Sequence, residues 1–258
     1  MDVGIRTLSE QDINTLATSK QVQYGALGVT EDGRRFRYVS FGGTSTIAPG
    51  QLLVAPAITA NYQGLAITAT GTGGQVAGNL ATGATQLVVT NGATAVTADL
   101  FAEGFLEVLV GSNGTSGSYS YRVKGNTAAA GSGTFTVYLA EALRNTTALV
   151  PGTDTVNLNP SVFNGVAAAT GLDVPAGVTV LPVPNTASVT NYGWVQTGGS
   201  CDVKNDAAGT IAVGTAVGQS SSVAGSVRTA TASTSAIIGY AHAAISASTV
   251  GPVFLKID

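Results

Sequence analysis

The chain has 258 residues, enough for one large or two ordinary domains with a buried core and no need of covalent staples. Only 10% of its residues are charged, against about 25% in an ordinary soluble domain, and 34 glycines with abundant Ala, Ser and Thr fill the sequence. The formal net charge of −3 comes without the clustered basic face that nucleic acid binding needs, and a single Cys excludes an intramolecular disulfide, consistent with folding in a reducing compartment.

From the N-terminus, MDVGIRTLSEQDINTLATSK carries acids early and lacks an apolar core of signal-peptide length, so it does not read as a secretory signal. Ser9 can cap a helix, Asp12 stands three residues on, and Ile13, Leu16 and Ala17 follow at helical spacing, which predicts a short helix over 9–18. A helix so short is marginal alone and needs a partner surface to hold it. From Tyr24 the period becomes two. YGALGVTEDGRRFRYVSF reads as a β-hairpin about Asp32-Gly33, a dipeptide that accepts the positive φ of a type I′ turn. Its return strand points Phe36 and Tyr38 one way and Arg35 and Arg37 the other, a half-buried strand with a basic outer face. Pro49-Gly50 then marks a turn before a short strand at Leu52 to Val54.

Residues 71–84 are Gly-rich but have neither the Lys-Ser/Thr of a phosphate loop nor the G-x-G-x-x-G of a dinucleotide site, and they read as a linker. Over 85–160 come strands with their own punctuation. TQLVVT precedes Asn91-Gly92, and GFLEVLVG ends at Asn113-Gly114. YSYRVKG sets Tyr119, Tyr121 and Val123 against Ser120, Arg122 and Lys124; TFTVYLA sets Phe135, Val137 and Leu139 against Thr134, Thr136 and Tyr138; and TVNLNP adds Val156 and Leu158. The last hundred residues repeat the style in YGWVQT, AIIGYAHA and PVFLKI, the last alternating Val253, Leu255 and Ile257 against Phe254 and Lys256. No period of 20 to 50 residues recurs, which excludes a solenoid or repeating shaft. Every apolar run is broken well before the roughly 18 residues of a spanning helix, so no membrane partner is expected.

The expected fold is all-β, with antiparallel β-barrel or jelly-roll-like sandwich domains and a short N-terminal helical arm. Four segments are expected: the arm over 1–23, a hairpin region packing on the β body over 24–75, a middle barrel or sandwich over 76–160, and a C-terminal β domain over 161–258. Residues 38–98 contain no Lys, Arg, Asp or Glu, and 207–255 contain only Arg228. Interspersed charges are what keep soluble chains apart, so faces this neutral are expected to be covered by partners.

No constellation displays a chemistry. Cys201, read as following Gly-Gly-Ser in a turn, could be nucleophilic only with a base in reach, and His242 is the one His; the bland reading is a Cys packed as a small hydrophobe and a His on the outer face of a strand. Ser220, Ser221 and Ser222 lack the G-x-S-x-G elbow and read as surface hydroxyls. Asp99, Glu103 and Glu107 have no His and no fixed loop beside them and read as surface carboxylates, and one Cys with one His cannot furnish a zinc site. Trp194 reads as a core anchor, and Arg34, Arg35 and Arg37 as solvated residues or a contact site. No catalytic residue, metal or cofactor is expected.

The order of segments, from YGALGVTEDGRRFRYVSFGG and IAPGQLLVAPA through FAEGFLEVLVGSNGTSGSYSYRVKGNTAAAGSGTFTVYLAEAL to NYGWVQTGGSCDVKNDAAGTIAVGTAV and AIIGYAHAA, resembles virion structural proteins of tailed bacteriophages. It looks most like the capsid decoration, or cement, proteins on the outside of the head lattice. The likeness rests on style and order, not on an invariant motif. It implies β-barrel or jelly-roll-like domains, homotrimers at lattice symmetry axes, no enzyme activity, the major capsid protein as partner, and assembly into a virion in the host cytoplasm. On this reading the N-terminal segment and the basic strand reach the shell, which nominates Ile13, Leu16, Arg34, Arg35 and Arg37 as capsid-binding residues. The alternative is a tail or head fibre component that binds a host surface polymer.

Overall fold

The computed structural model describes residues 5–42, 45–68, 82–111, 118–144, 148–168, 173–184, 190–230 and 236–258. The chain is nearly all β and falls into two compact units, Met1–Pro56 with Val162–Asp258, and Ala57–Ser161 between them. The first unit begins with β1 (Arg6–Leu8), α1 (Glu10–Ile13), β2 (Leu27–Thr30), β3 (Arg35–Phe41) and β4 (Leu52–Val54). The second holds β5 (Leu65–Ile67), β6 (Gln86–Thr90), β7 (Phe105–Leu109), β8 (Ser118–Asn126), β9 (Thr134–Leu139) and β10 (Thr155–Asn159). The chain then returns to the first with β11 (Asn164–Val166), β12 (Pro175–Thr179), β13 (Asn191–Lys204), β14 (Ala216–Gln219), β15 (Val227–Thr229), β16 (Ile237–Ala241) and β17 (Val250–Lys256).

This division differs from four consecutive segments because of strand pairing. β3 pairs with β13, and β4 with β12, so residues 24–56 are completed by strands more than a hundred positions further on, and the second unit is an insertion. The Gly-rich 71–80 and Asn113-Gly114 lie outside the described residues.

The inserted unit is a closed six-stranded antiparallel barrel in the order β10-β5-β6-β9-β8-β7. The period-two pattern places Tyr121, Val123, Phe135, Val137, Leu139, Val156 and Leu158 inside, as the sequence predicts, and leaves Ser120, Arg122, Lys124, Thr134 and Tyr138 outside. A barrel this small is filled by its own side chains. Phe101 plugs it, stacked on Phe135 and edge-on to Tyr62 with centroids 6.0 and 5.0 Å away. Buried Asn126 fixes the approach to Phe101, accepting from its main-chain N–H at 2.9 Å and donating to the Thr97 and Thr127 carbonyls.

The other unit is an eleven-stranded sheet whose main path runs β1-β2-β3-β13-β17-β16-β14-β15, with β4, β11 and β12 joined to its middle. At its centre YGWVQTGGSCDVK is one continuous strand, not two strands about a turn. Gln196 faces Phe36 and Gly198 faces Arg35, so Thr197 is an extra residue, a β-bulge. That one residue resets the side-chain parity. Trp194 and Gln196 before it, and Cys201 and Val203 after it, face the same side of the sheet although five positions separate Gln196 from Cys201. Gly199 follows at φ +87, where only glycine is unstrained, and Arg34 packs within 3.2 Å of where a Cβ would stand.

Two local expectations are corrected. The helix spans only Glu10–Ile13: Ser9 and Asp12 form a reciprocal capping box, but Ala17 is drawn into an antiparallel bridge with Tyr192, both hydrogen bonds made at 2.8 to 2.9 Å, so the backbone leaves helical geometry first. The hairpin turn is not type I′. Among the described non-glycine residues Asp32 is not at positive φ, whereas Gly33 is, at +84; the Gly33 N–H donates to Thr30 and the Thr30 N–H to Arg34, which is a three-residue loop with a glycine bulge.

Candidate interaction surface

The N-terminal segment is built into the sheet. β1 adds in parallel to β2, Leu8 and Ile13 pack with Phe36, Tyr38 and Trp194, and Leu16 lies over Gly193 beside Phe41. Ile13 is 1% exposed. The nomination of Ile13 as a contact residue is therefore corrected: the partner surface that this short helix needs is the chain's own β3 and β13, while Leu16 is only partly buried. Trp194 is buried as expected, edge-on to Tyr38 at 5.2 Å.

The three arginines sit at the surface and are drawn partly onto the chain's own carboxylates. Arg34 pairs with Glu10 and Asp32, and Arg37 with Asp258 while also donating to the Gly25 carbonyl at 2.9 Å. Burial alone would lower the Arg34 pKa, but the hydrogen bond to Asp32 and the charges of Asp32 and Glu10 outweigh it and hold it above its usual value. Asp32 is held low, first by the Thr30 hydroxyl and then by Arg34. Arg35 is exposed, its stem lying across Gly198, and it reaches the main-chain oxygen of Asp258 at 3.4 Å. Around it lies an open groove of about 860 Å³, lined among others by Arg34, Gly198, Ser200, Phe254 and Lys256.

From this groove the outer face of the sheet continues over β17 and β16. Phe254 stands between Ser200 and Tyr240 as their cross-strand partner, with Val250 further along β17 and Ile237 further along β16. These four apolar side chains are 41 to 53% exposed. Lys256 lies over the Tyr240 ring, 5.5 Å from its centroid. The alternation of PVFLKI already put Phe254 outward; its pairing with Tyr240 depends on the β16–β17 register, which the sequence does not display.

The candidate chemistry separates. Cys201 and Ala241 are the two cross-strand neighbours of Val253, all three buried on one face, while His242, one residue on, is exposed. Burial first, and the nearby Asp202 charge second, push the Cys201 thiol up to about 12, the reverse of an activated nucleophile. Ser220 is not a surface hydroxyl but fully buried, donating to buried Asp206 at 2.7 Å and accepting from the Ser222 and Val223 N–H groups, whereas exposed Ser221 accepts from Arg228. Asp99 is exposed and Glu103 and Glu107 are half-buried; no group of three or more His, Cys, Asp or Glu that could hold a metal occurs among the described residues. Among those residues no helix is long and apolar enough to cross a membrane. No family model, curated protein or solved structure matches the chain.

Proposed function

We propose that the chain is a non-enzymatic structural protein of a tailed-phage virion that binds the outside of the capsid lattice and stabilises the head. The observation that carries this reading is the outward pair of Phe254 and Tyr240 with Val250 and Ile237 further along the same two strands, all exposed apolar side chains on one face of the sheet. Clustered exposed apolar side chains on a soluble chain mark a surface that another macromolecule covers.

Packed DNA presses outward on a shell held by many modest subunit contacts. A second protein bridging neighbouring subunits makes loss of any one subunit depend on breaking several contacts at once, so modest local affinities become avidity. The partner in this reading is the major capsid protein. The chain also pairs with itself, most simply as a homotrimer, burying at least about 2,000 Å² in total. Heads assembled without the protein should form normally but release DNA at a lower temperature than complete heads, and adding the purified chain should restore the difference. Equal robustness with a collapse of adsorption to host cells would replace this role with that of a fibre component.

A further inference from the structure

The groove at Gly198 and the apolar face of β16 and β17 meet at Phe254, and their charges are one-sided. Strands β13 to β17 contain Lys204, Arg228 and Lys256 but a single carboxylate, Asp202. The two carboxylates on the groove wall are already engaged, Asp32 by Thr30 and Arg34, and Asp258 by Arg37. Arg35 and Lys256 are both exposed and stand on either side of Gly198 as its cross-strand neighbours. Their backbones are two strand spacings apart, about 10 Å, and the Arg35 stem lies across the intervening Gly198, so the guanidinium and Lys256 border one open groove that a carboxylate can enter.

We propose that this groove receives acidic side chains of a protein partner whose adjoining apolar residues cover Phe254, Tyr240, Ile237 and Val250. It rests on the function proposed above and deepens it: the strip of the shell on which the chain docks is apolar at its centre and acidic at the edge that meets Arg35 and Lys256. A guanidinium and an ammonium bordering one groove favour a carboxylate, and covering Phe254 excludes water from that pair and strengthens it. Arg35, Lys204, Arg228 and Lys256 lie on four different strands with exposed Asp202 among them, which is not the dense basic cluster that anchors a protein on an anionic bilayer. A second copy meeting this face with the same face would set like charges against each other.

The test uses purified DNA-filled heads that lack the chain, with occupancy measured by co-sedimentation at about 50 and 500 mM salt, a range over which exposed charge pairs are progressively screened. The wild type should bind and lose occupancy as salt rises. Arg35→Glu with Lys256→Glu should lower the affinity at least tenfold at low salt, and Phe254→Ser should lower it at both salts, each with unchanged Trp194 fluorescence as the check on folding. If the wild type binds heads and the charge-reversed pair binds as well, the acidic-strip proposal falls and the decoration reading stands. If the wild type does not bind heads, both fall. Binding to phosphatidylglycerol vesicles but not to heads would assign the face to lipid, and a loss of self-association in Phe254→Ser with head binding intact would assign it to a second copy; either result overturns the proposal.

Discussion

Replacing Ile13 with Ala should destabilise the sheet unit by about 3 kcal/mol, because the side chain is 1% exposed among Leu8, Phe36, Tyr38 and Trp194. The substitution removes three carbons, worth about 2.4 kcal/mol at roughly 0.8 kcal/mol each, and the residual cavity brings the cost into the range of about 2 to 5 kcal/mol found for such truncations. Ile13→Val should cost about 1 kcal/mol at the same site. The only Trp of the chain lies in this cluster, so its fluorescence in a urea titration reports on the unit concerned. With a slope of about 2 kcal/mol per molar, the Ile13→Ala midpoint should fall by about 1.5 M. A shift below about 0.3 M would refute the reasoning, since only a segment loosely attached to the sheet tolerates that loss.

Gly104→Ala should lower the urea midpoint of the barrel's circular dichroism signal by an amount equivalent to about 1 to 3 kcal/mol, because the new Cβ falls 2.2 Å from the Asn159 carbonyl oxygen, a backbone atom that cannot swing away; an unchanged midpoint would contradict the close approach. Cys201 should resist thiol reagents at pH 8 until the protein is unfolded. Its folded pKa of about 12 lies above the ordinary 9.0, so the fold favours the neutral thiol: that contribution is complete below pH 9 and is lost as pH climbs toward 12, and Cys201→Ala should flatten the alkaline fall in stability. The Ser9 hydrogen bonds hold Asp12 below 3.8, so its contribution is present above that pH and lost as pH falls through the folded value; Asp12→Asn should lower the midpoint at pH 6 and make no difference in strong acid.

Where the sequence alternates, the fold was readable from it. β8, β9 and β17 place their apolar residues on the side that the pattern demands, because a strand with one wet face has only two choices. The barrel was expected, as a barrel or sandwich over 76–160; what the sequence does not display is its closure, where β10 pairs with β5, and the insertion, which depends on β3 pairing with β13, since both sets of partners are far apart in sequence. The Gly198-Gly199 pair was misread as a turn because a bulge and a turn use the same residue; what distinguishes them is that β17 pairs without interruption from Gly198 to Lys204. Of the five nominated contact residues, Ile13 is taken up by the chain's own sheet and Leu16 partly so, because apolar spacing marks what must be buried, not what buries it. The arginines are at the surface, but Arg34 and Arg37 are partly drawn onto the chain's own carboxylates, leaving Arg35 the most open.

A density map of the intact virion, with this chain fitted as two separate bodies, decides whether the sheet unit docks on the head. Density for the sheet unit should lie on the outer surface of the head, with Phe254, Tyr240 and Arg35 against the shell. Density confined to the tail, or none on the head exterior, would contradict it.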